Sequence, residues 1–225
     1  MIEIKFSDII KSSFPDLKVI QVETEVENSY TSSELWDELL LASEQLRNQF
    51  SLADLNKRYS IEATRKAYKK LGKDPNRYRP SAEALGRRII NGKGIYRLST
   101  LIDIINLVSI RTGYSIGGFD ISKIRGNILT LDAGTHEDIF NGIGRGPLNI
   151  EGLPVYRDSL GGIGTPTSDE ERTKISEETT KLLMLVNVYG EEISLEETED
   201  MIKKYLIKYA GLNSYFSKII TSSNF

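Results

Sequence analysis

The densest chemistry in the chain lies between Thr165 and Thr173. The hydroxyls of Thr165, Thr167 and Ser168 stand beside the carboxylates of Asp169, Glu170 and Glu171. Arg172 follows, and Gly161, Gly162 and Gly164 precede them. Such groups can orient a water, grip an amino group or bind a cation; an ordinary capped turn before a strand would use the same residues. Asp103 and Asn106 sit one helical turn apart in an otherwise apolar run, so they share a face. A carboxylate there needs a partner, either structural or a ligand amine. In Asn141-Gly142-Ile143-Gly144-Arg145-Gly146 the backbone amides and Arg145 can hold an anion, with Glu151 a candidate partner for Arg145. The same glycines suit a turn that needs positive φ. No strand and helix of the dinucleotide type surround them, which argues against a nucleotide cradle.

Other chemistries are excluded by composition. The sequence has no cysteine and one histidine. Thiol catalysis, disulfide frameworks, thiolate metal sites, two-histidine metal sites and a serine triad all fall away. No metal and no cofactor is expected. His136 lies in Gly134-Thr135-His136-Glu137-Asp138, read as an exposed loop, although a neutral imidazole can serve as a general base.

Charge is distributed unevenly. Thirteen basic and three acidic residues lie between Lys57 and Arg97, a local formal charge of +10, so the remainder carries −13 against a net −3. Tyr59, Tyr68, Tyr78 and Tyr96 are interleaved with these cations. Cations neutralise phosphates and tyrosines stack on bases, a combination suited to RNA. The candidate RNA contacts are Arg65, Lys66, Lys69, Lys70, Lys73, Arg77, Arg79, Arg87 and Arg88. A solvated helical face over half-buried tyrosines fits the pattern as well.

The elements that must position these groups follow from periodicity and punctuation. Residues 18–26 alternate and read as a strand. Thr31 precedes Glu34 by three residues, a capping box ahead of a helix with Leu35, Leu39, Leu46 and Phe50 on one face. Ser60 opens a helix bearing the lysine cluster. Residues 74–80 carry two prolines and read as a turn. Ser81 and Thr100 open two further helices, ending near Asn91-Gly92 and at Gly113. Beyond Gly113, glycines punctuate the strand candidates 128–131, 148–150, 155–156 and 182–186. Ser194 with Glu197 caps a C-terminal helix. Helices, then a glycine-punctuated sheet, then a helix imply an α+β fold. Residues 1–60 read as a strand and helical extension packed on a main domain of residues 61–225, one structural unit overall. No apolar run reaches the roughly 18 residues of a membrane span, and no leader pattern opens the chain; a cytoplasmic protein without a membrane partner is expected.

Four stretches carry a resemblance. They are Asp74-Pro75-Asn76-Arg77-Tyr78-Arg79-Pro80-Ser81, residues 101–108, Gly113-Tyr114-Ser115-Ile116-Gly117-Gly118-Phe119-Asp120, and residues 148–156. In order and spacing they resemble the B3/B4 domain of the phenylalanyl-tRNA synthetase beta subunit, and more closely stand-alone proteins made of that domain, over residues 65–190. The resemblance implies an α+β fold with a β-barrel-like, mixed-sheet core flanked by helices. It also implies a pocket that hydrolyses tyrosine wrongly attached to tRNA. By the same resemblance, Asp103 and Asn106 match the family's aspartate and asparagine, Gly161-Gly162 its glycine turn, and Gly117, Gly118 and Asp120 lie in its His-Ala-Phe-Asp stretch. Gly117 replaces the histidine, and a glutamate of the family is absent from Leu183-Met184-Leu185-Val186. Both departures remove polar groups that would hold the reactive end of tyrosyl-tRNA, so binding is expected over hydrolysis, and tRNA charging is excluded. Any hydrolysis would be attack on an aminoacyl-tRNA ester by a water that Thr167 or Asp169 orients.

The expected pocket lies between helix 100–111 and the turn at 161–168. It receives a free amino acid or an aminoacyl end, on an RNA-binding, in particular tRNA-binding, module. The alternatives are an amino-acid-sized small-molecule binder without an RNA partner, and a module that docks on an intact synthetase.

Overall fold

A computed structural model describes residues 1–223. Three layers follow from alternation in the strands. The first sheet has the order β1-β4-β7-β8, from Glu3–Phe6, Ile128–Ala133, Pro154–Asp158 and Gly161–Gly164. The second has the order β10-β2-β9-β3, from Ser214–Thr221, Lys18–Glu25, Lys181–Val188 and Ser115–Asp120. Strands β1 and β4 run parallel and every other pair in these sheets is antiparallel. On β9, Leu183 and Leu185 face the first sheet beside Leu131, Tyr156 and Ile163, whereas Leu182, Met184 and Val186 face the helices. Being covered on both sides, β9 is a continuous apolar run.

The helical layer holds α2 (Ser33–Gln49), α4 (Ser81–Ile90), α5 (Thr100–Thr112) and α6 (Leu195–Tyr209); the short α1 (Asp8–Ser13) and α3 (Tyr59–Lys70) complete the six α-helices of the described residues. A small hairpin pairs β5 (Asn141–Gly142) with β6 (Gly146–Pro147). The α+β class and the mixed sheets flanked by helices are as expected. The core is not a closed barrel, because the first sheet ends at β1 and β8 and the second at β10 and β3. Residues 1–60 contribute strands to both sheets, and β2 lies inside the second one, between β10 and β9.

Local chemistry explains the boundaries. Gly113 ends α5 at φ +74, where a Cβ would stand 2.2 Å from the Ser60 hydroxyl. Ser194 caps α6 by accepting from the Glu197 amide. The cap of α2 is Ser32 and not Thr31, whose hydroxyl is drawn to Asp103. Residues 148–150 do not form a strand: the Leu148 amide returns to the Phe140 carbonyl after the hairpin, and Ile150 fills a small core with Tyr68, Phe140, Leu153 and Val155. Strand β3 escapes the sequence pattern because Gly117 and Gly118 occupy its centre. Glycine is required there, since a Cβ on Gly118 would stand 2.4 Å from Ile105 Cδ1 of α5.

Candidate functional site

The close approach of α5 to β3 leaves a cavity of about 270 Å³ beside it. Its walls are hydrocarbon: Leu85 of α4, Ile102 and Ile105 of α5, Ile116 of β3, and Ile175. The polar lining comes from Asn106, Asp169, Ser81, Ser109 and Lys174. The turn Thr165–Ser168 delivers Asp169. Thr165 exchanges bonds with Ser168 and its hydroxyl accepts from the Thr167 and Ser168 amides, so the chain reverses and sets Asp169 opposite Gly164. The Ser81 amide at the start of α4 donates to the Pro166 carbonyl at 2.7 Å, which ties that helix to the turn.

The Asp169 carboxylate receives one hydrogen bond, from the Gly118 amide to Oδ2 at 3.1 Å, and no cation pairs with it among the described residues. Glycines crowd its other oxygen: a Cβ on Gly164 would lie 2.8 Å from Oδ1, and one on Gly117 3.5 Å. Burial pushes the carboxyl up to about 7, the Gly118 amide opposing it. A carboxyl poised near neutrality at the wall of an apolar cavity can take up an ammonium or exchange a proton.

The candidates separate into groups. Asn106, Gly118 and Asp169 line the cavity, and Gly117 backs Asp169. Asp103 is fully buried behind them, accepting from the Thr31 hydroxyl at 2.6 Å and the Leu98 amide at 3.1 Å. Asp120 accepts from Ser122 and Thr179, bonds that hold it below the usual carboxylate range although burial opposes them. The Thr167 hydroxyl lies 2.8 Å from that of Tyr68, in the interior. Gly161 and Gly162 are at the start of β8, where Gly162 packs on Phe140 and Val155. Arg145 is exposed on the β5–β6 hairpin; Glu151 is exposed on another turn, and no ion pair joins the two. His136 is exposed. Sequence reasoning missed the other ten lining residues, which are the aliphatic walls together with Ser81, Ser109 and Lys174. The aliphatic ones carry no signal that separates a pocket wall from a core position.

The basic run folds partly inward. Arg65 is buried, with Nη1 donating to Glu83 Oε2 at 2.7 Å and Nη2 to Asn76 Oδ1 at 2.7 Å. Lys73 is buried too; its Nζ donates to the Asn149 carbonyl at 3.0 Å and sits 3.8 Å from the Tyr78 ring centre. Arg79 and Arg87 stand 3.8 and 4.0 Å from Glu83, and Arg88 lies 4.1 Å over Tyr96. Lys66, Lys69, Lys70, Arg77 and Arg79 are exposed; of these, Lys66 pairs with Glu62 and Lys70 donates to the Ser13 carbonyl. Among the described residues no cluster of metal-ligating side chains occurs, and no helix is long and apolar enough to cross a membrane.

A family model described as the B3/4 domain matches residues 63–202. The chain belongs to the B3/4 domain family. The match spans the stretches that carry the resemblance and contains the whole pocket. Among solved structures, the chain is similar to an N-terminal fragment of the phenylalanyl-tRNA synthetase beta-subunit from Pyrococcus horikoshii, with 15% identity and a TM-score of 0.44. That similarity covers 97% of this chain and 50% of the fragment, so the chain spans about half of the fragment's length. No curated protein matches the sequence.

Proposed function

We propose that this B3/4 domain binds an aminoacyl group in the α4–α5–β3 pocket, and that the group arrives on the end of a tRNA. The observation that carries the reading is Asp169, a carboxyl without a cation set in an apolar wall. A primary ammonium supplies the missing charge, and the aliphatic walls take the amino acid's side chain. The RNA arm is supported by two exposed arginines close in sequence to the lining: Arg79 is two residues from the pocket-lining Ser81, and Arg145 two from the pocket-lining Ile143. Phosphates of the acceptor end meet these two guanidinium groups. If ester hydrolysis accompanies binding, Asp169 is the group that orients the water, since the Thr167 hydroxyl is bonded to Tyr68.

Melting of the protein against each amino acid, with a gel-shift series on total tRNA across salt, tests both arms. An apolar amino acid is expected to raise the melting temperature, Asp169→Asn to abolish that rise, and tRNA affinity to fall steeply with salt. A melting shift without tRNA binding leaves a free amino acid as the ligand. Absence of both results refutes the proposal.

A further inference from the structure

Leu98 lines the cavity and is itself half exposed, so it marks the mouth of the pocket. Two aromatic rings stand free around it, each with an arginine against one face. The segment ahead of α2 is tied to this place by hydrogen bonds. The Arg97 guanidinium donates to the Thr31 carbonyl, from Nε at 3.2 Å and also from Nη2, and the Thr100 amide donates to the Ser29 carbonyl at 2.9 Å. Tyr30 lies between these two anchors and is 71% exposed. The Arg97 guanidinium carbon stands 4.9 Å from its ring centre and 5.7 Å from that of the half-buried Trp36. On the linker from α4 to α5, Tyr96 is 64% exposed, and the Arg88 guanidinium of α4 lies 4.1 Å over its ring. Arg88 Nη2 donates to the Lys93 carbonyl of the same linker at 3.4 Å.

Packing does not account for this pattern. A surface tyrosine ordinarily lays its ring on the core and keeps the hydroxyl wet, whereas these rings stand off the core on arginine side chains. Neither Arg88 nor Arg97 belongs to an ion pair among the described residues. Two positive charges are therefore held under the rings without a counter-ion. An aromatic face that is cation-backed on one side and open on the other suits a nucleobase: the base stacks on the ring, and its phosphate is drawn to the cation. We infer that Tyr30 and Tyr96 form a stacking site for unpaired RNA bases at the mouth of the pocket. An aminoacyl ester sits on the ribose of the last nucleotide. With the aminoacyl group behind Leu98, the last bases remain outside, where these rings stand. This inference rests on the RNA arm of the proposed function. It adds a selection for single strands, because a base must leave its helix to stack on a side chain.

Three RNA hairpins test it: one with an unpaired acceptor tail, one whose tail keeps its phosphates but lacks bases, and one that ends blunt. Wild-type protein is expected to bind the first roughly tenfold more tightly than the other two. Tyr30→Ala and Tyr96→Ala are each expected to weaken the first roughly fivefold, the scale of one stacked base, and to leave the baseless tail unchanged. Tyr30→Phe and Tyr96→Phe keep the ring and the affinity. The salt slope stays the same in all four variants, since no phosphate contact is removed. Alanine variants that bind like wild type, or that lose the baseless tail equally, overturn the inference, as do phenylalanine variants no better than alanine. Wild-type protein that binds all three hairpins alike also overturns it, while the RNA arm stands. Binding to none of them at low salt removes the RNA arm along with the stacking site. In that case, self-association in sedimentation that Tyr30→Ala abolishes would assign the rings to a second copy of the chain.

Discussion

Two carboxylates withdrawn from solvent, one on α4 and one on the turn tied to its start, are furnished in opposite ways. Glu83, in the first turn of α4, is 1% exposed and meets three arginines, at 2.7, 3.8 and 4.0 Å. Asp169, on the far side of the helix's N-terminal link to the turn, meets one backbone amide and hydrocarbon. A buried charge that is fully partnered is committed to architecture. One that is left without a counter-charge beside a cavity is available to a ligand. The contrast also sorts the cations: those that converge on Glu83 are not all free for an anion, although the local charge of +10 in the sequence treats them alike.

The largest effect that this contrast predicts is at Arg65. Arg65→Ala leaves Glu83 buried with only the two longer contacts, a loss expected to cost about 3 kcal/mol in urea unfolding, the scale for breaking a buried pair. A cost below about 1 kcal/mol, the range of surface pairs, would mean that Glu83 does not depend on its partner, and the contrast would collapse.

Asp169 is predicted to behave the other way, with a pH signature. An unfolded aspartate titrates near 3.9, whereas in the pocket burial pushes Asp169 up to about 7. Between those values the folded protein keeps a proton that the unfolded chain has released. Wild-type stability therefore falls as pH rises through about 4 to 7, and the loss is complete above that window. Asp169→Asn has no such proton to lose, so its stability relative to wild type climbs over the same window. The gain reaches about 2 kcal/mol, less than the full shift implies because the half-buried carboxyl keeps some contact with solvent. Unfolding curves for both proteins at pH 4, 6 and 8 read this; a difference that does not change with pH shows that Asp169 is solvated like a surface acid.

The sequence marked the α5 side of the cavity but not its other walls, and none of the expected residues 161–168 lines it. Asn106, Gly118 and Asp169 were marked by polar or glycine residues in apolar surroundings, and they converge. Leu85 and Ile102 obey the same helical periodicity as core residues, Ile175 lies outside every helix and strand, and only the folded chain separates a wall from an interior. The α+β class, the turn at 74–80, the ends of α4 and α5 and the cap of α6 followed from local rules. Strands β3 and β8 did not, because their glycines erase the alternation that marks a strand. The inward turn of Arg65 was hidden for a different reason: its partner Glu83 is 18 residues away, across a proline-bounded turn, and charge counted along the chain carries no sign of which side faces in.

Arg79 provides the finest division of the two regions, because it belongs partly to each. Its guanidinium is 3.8 Å from Glu83, but its side chain is 44% exposed and the Arg65 pair already satisfies the carboxylate. Arg79→Ala is therefore expected to change stability by no more than about 0.5 kcal/mol. If Arg79 serves the rim of the pocket, the same substitution removes one phosphate contact, and the slope of log affinity for tRNA against log salt shrinks by about 1. Arg65→Ala, corrected for its unfolded fraction, should leave that slope alone, since a guanidinium bonded to Glu83, Pro75 and Asn76 has no free face for phosphate. A slope unchanged in Arg79→Ala, or a stability loss as large as that of Arg65→Ala, would place Arg79 wholly with the architecture of Glu83 and remove it from the rim.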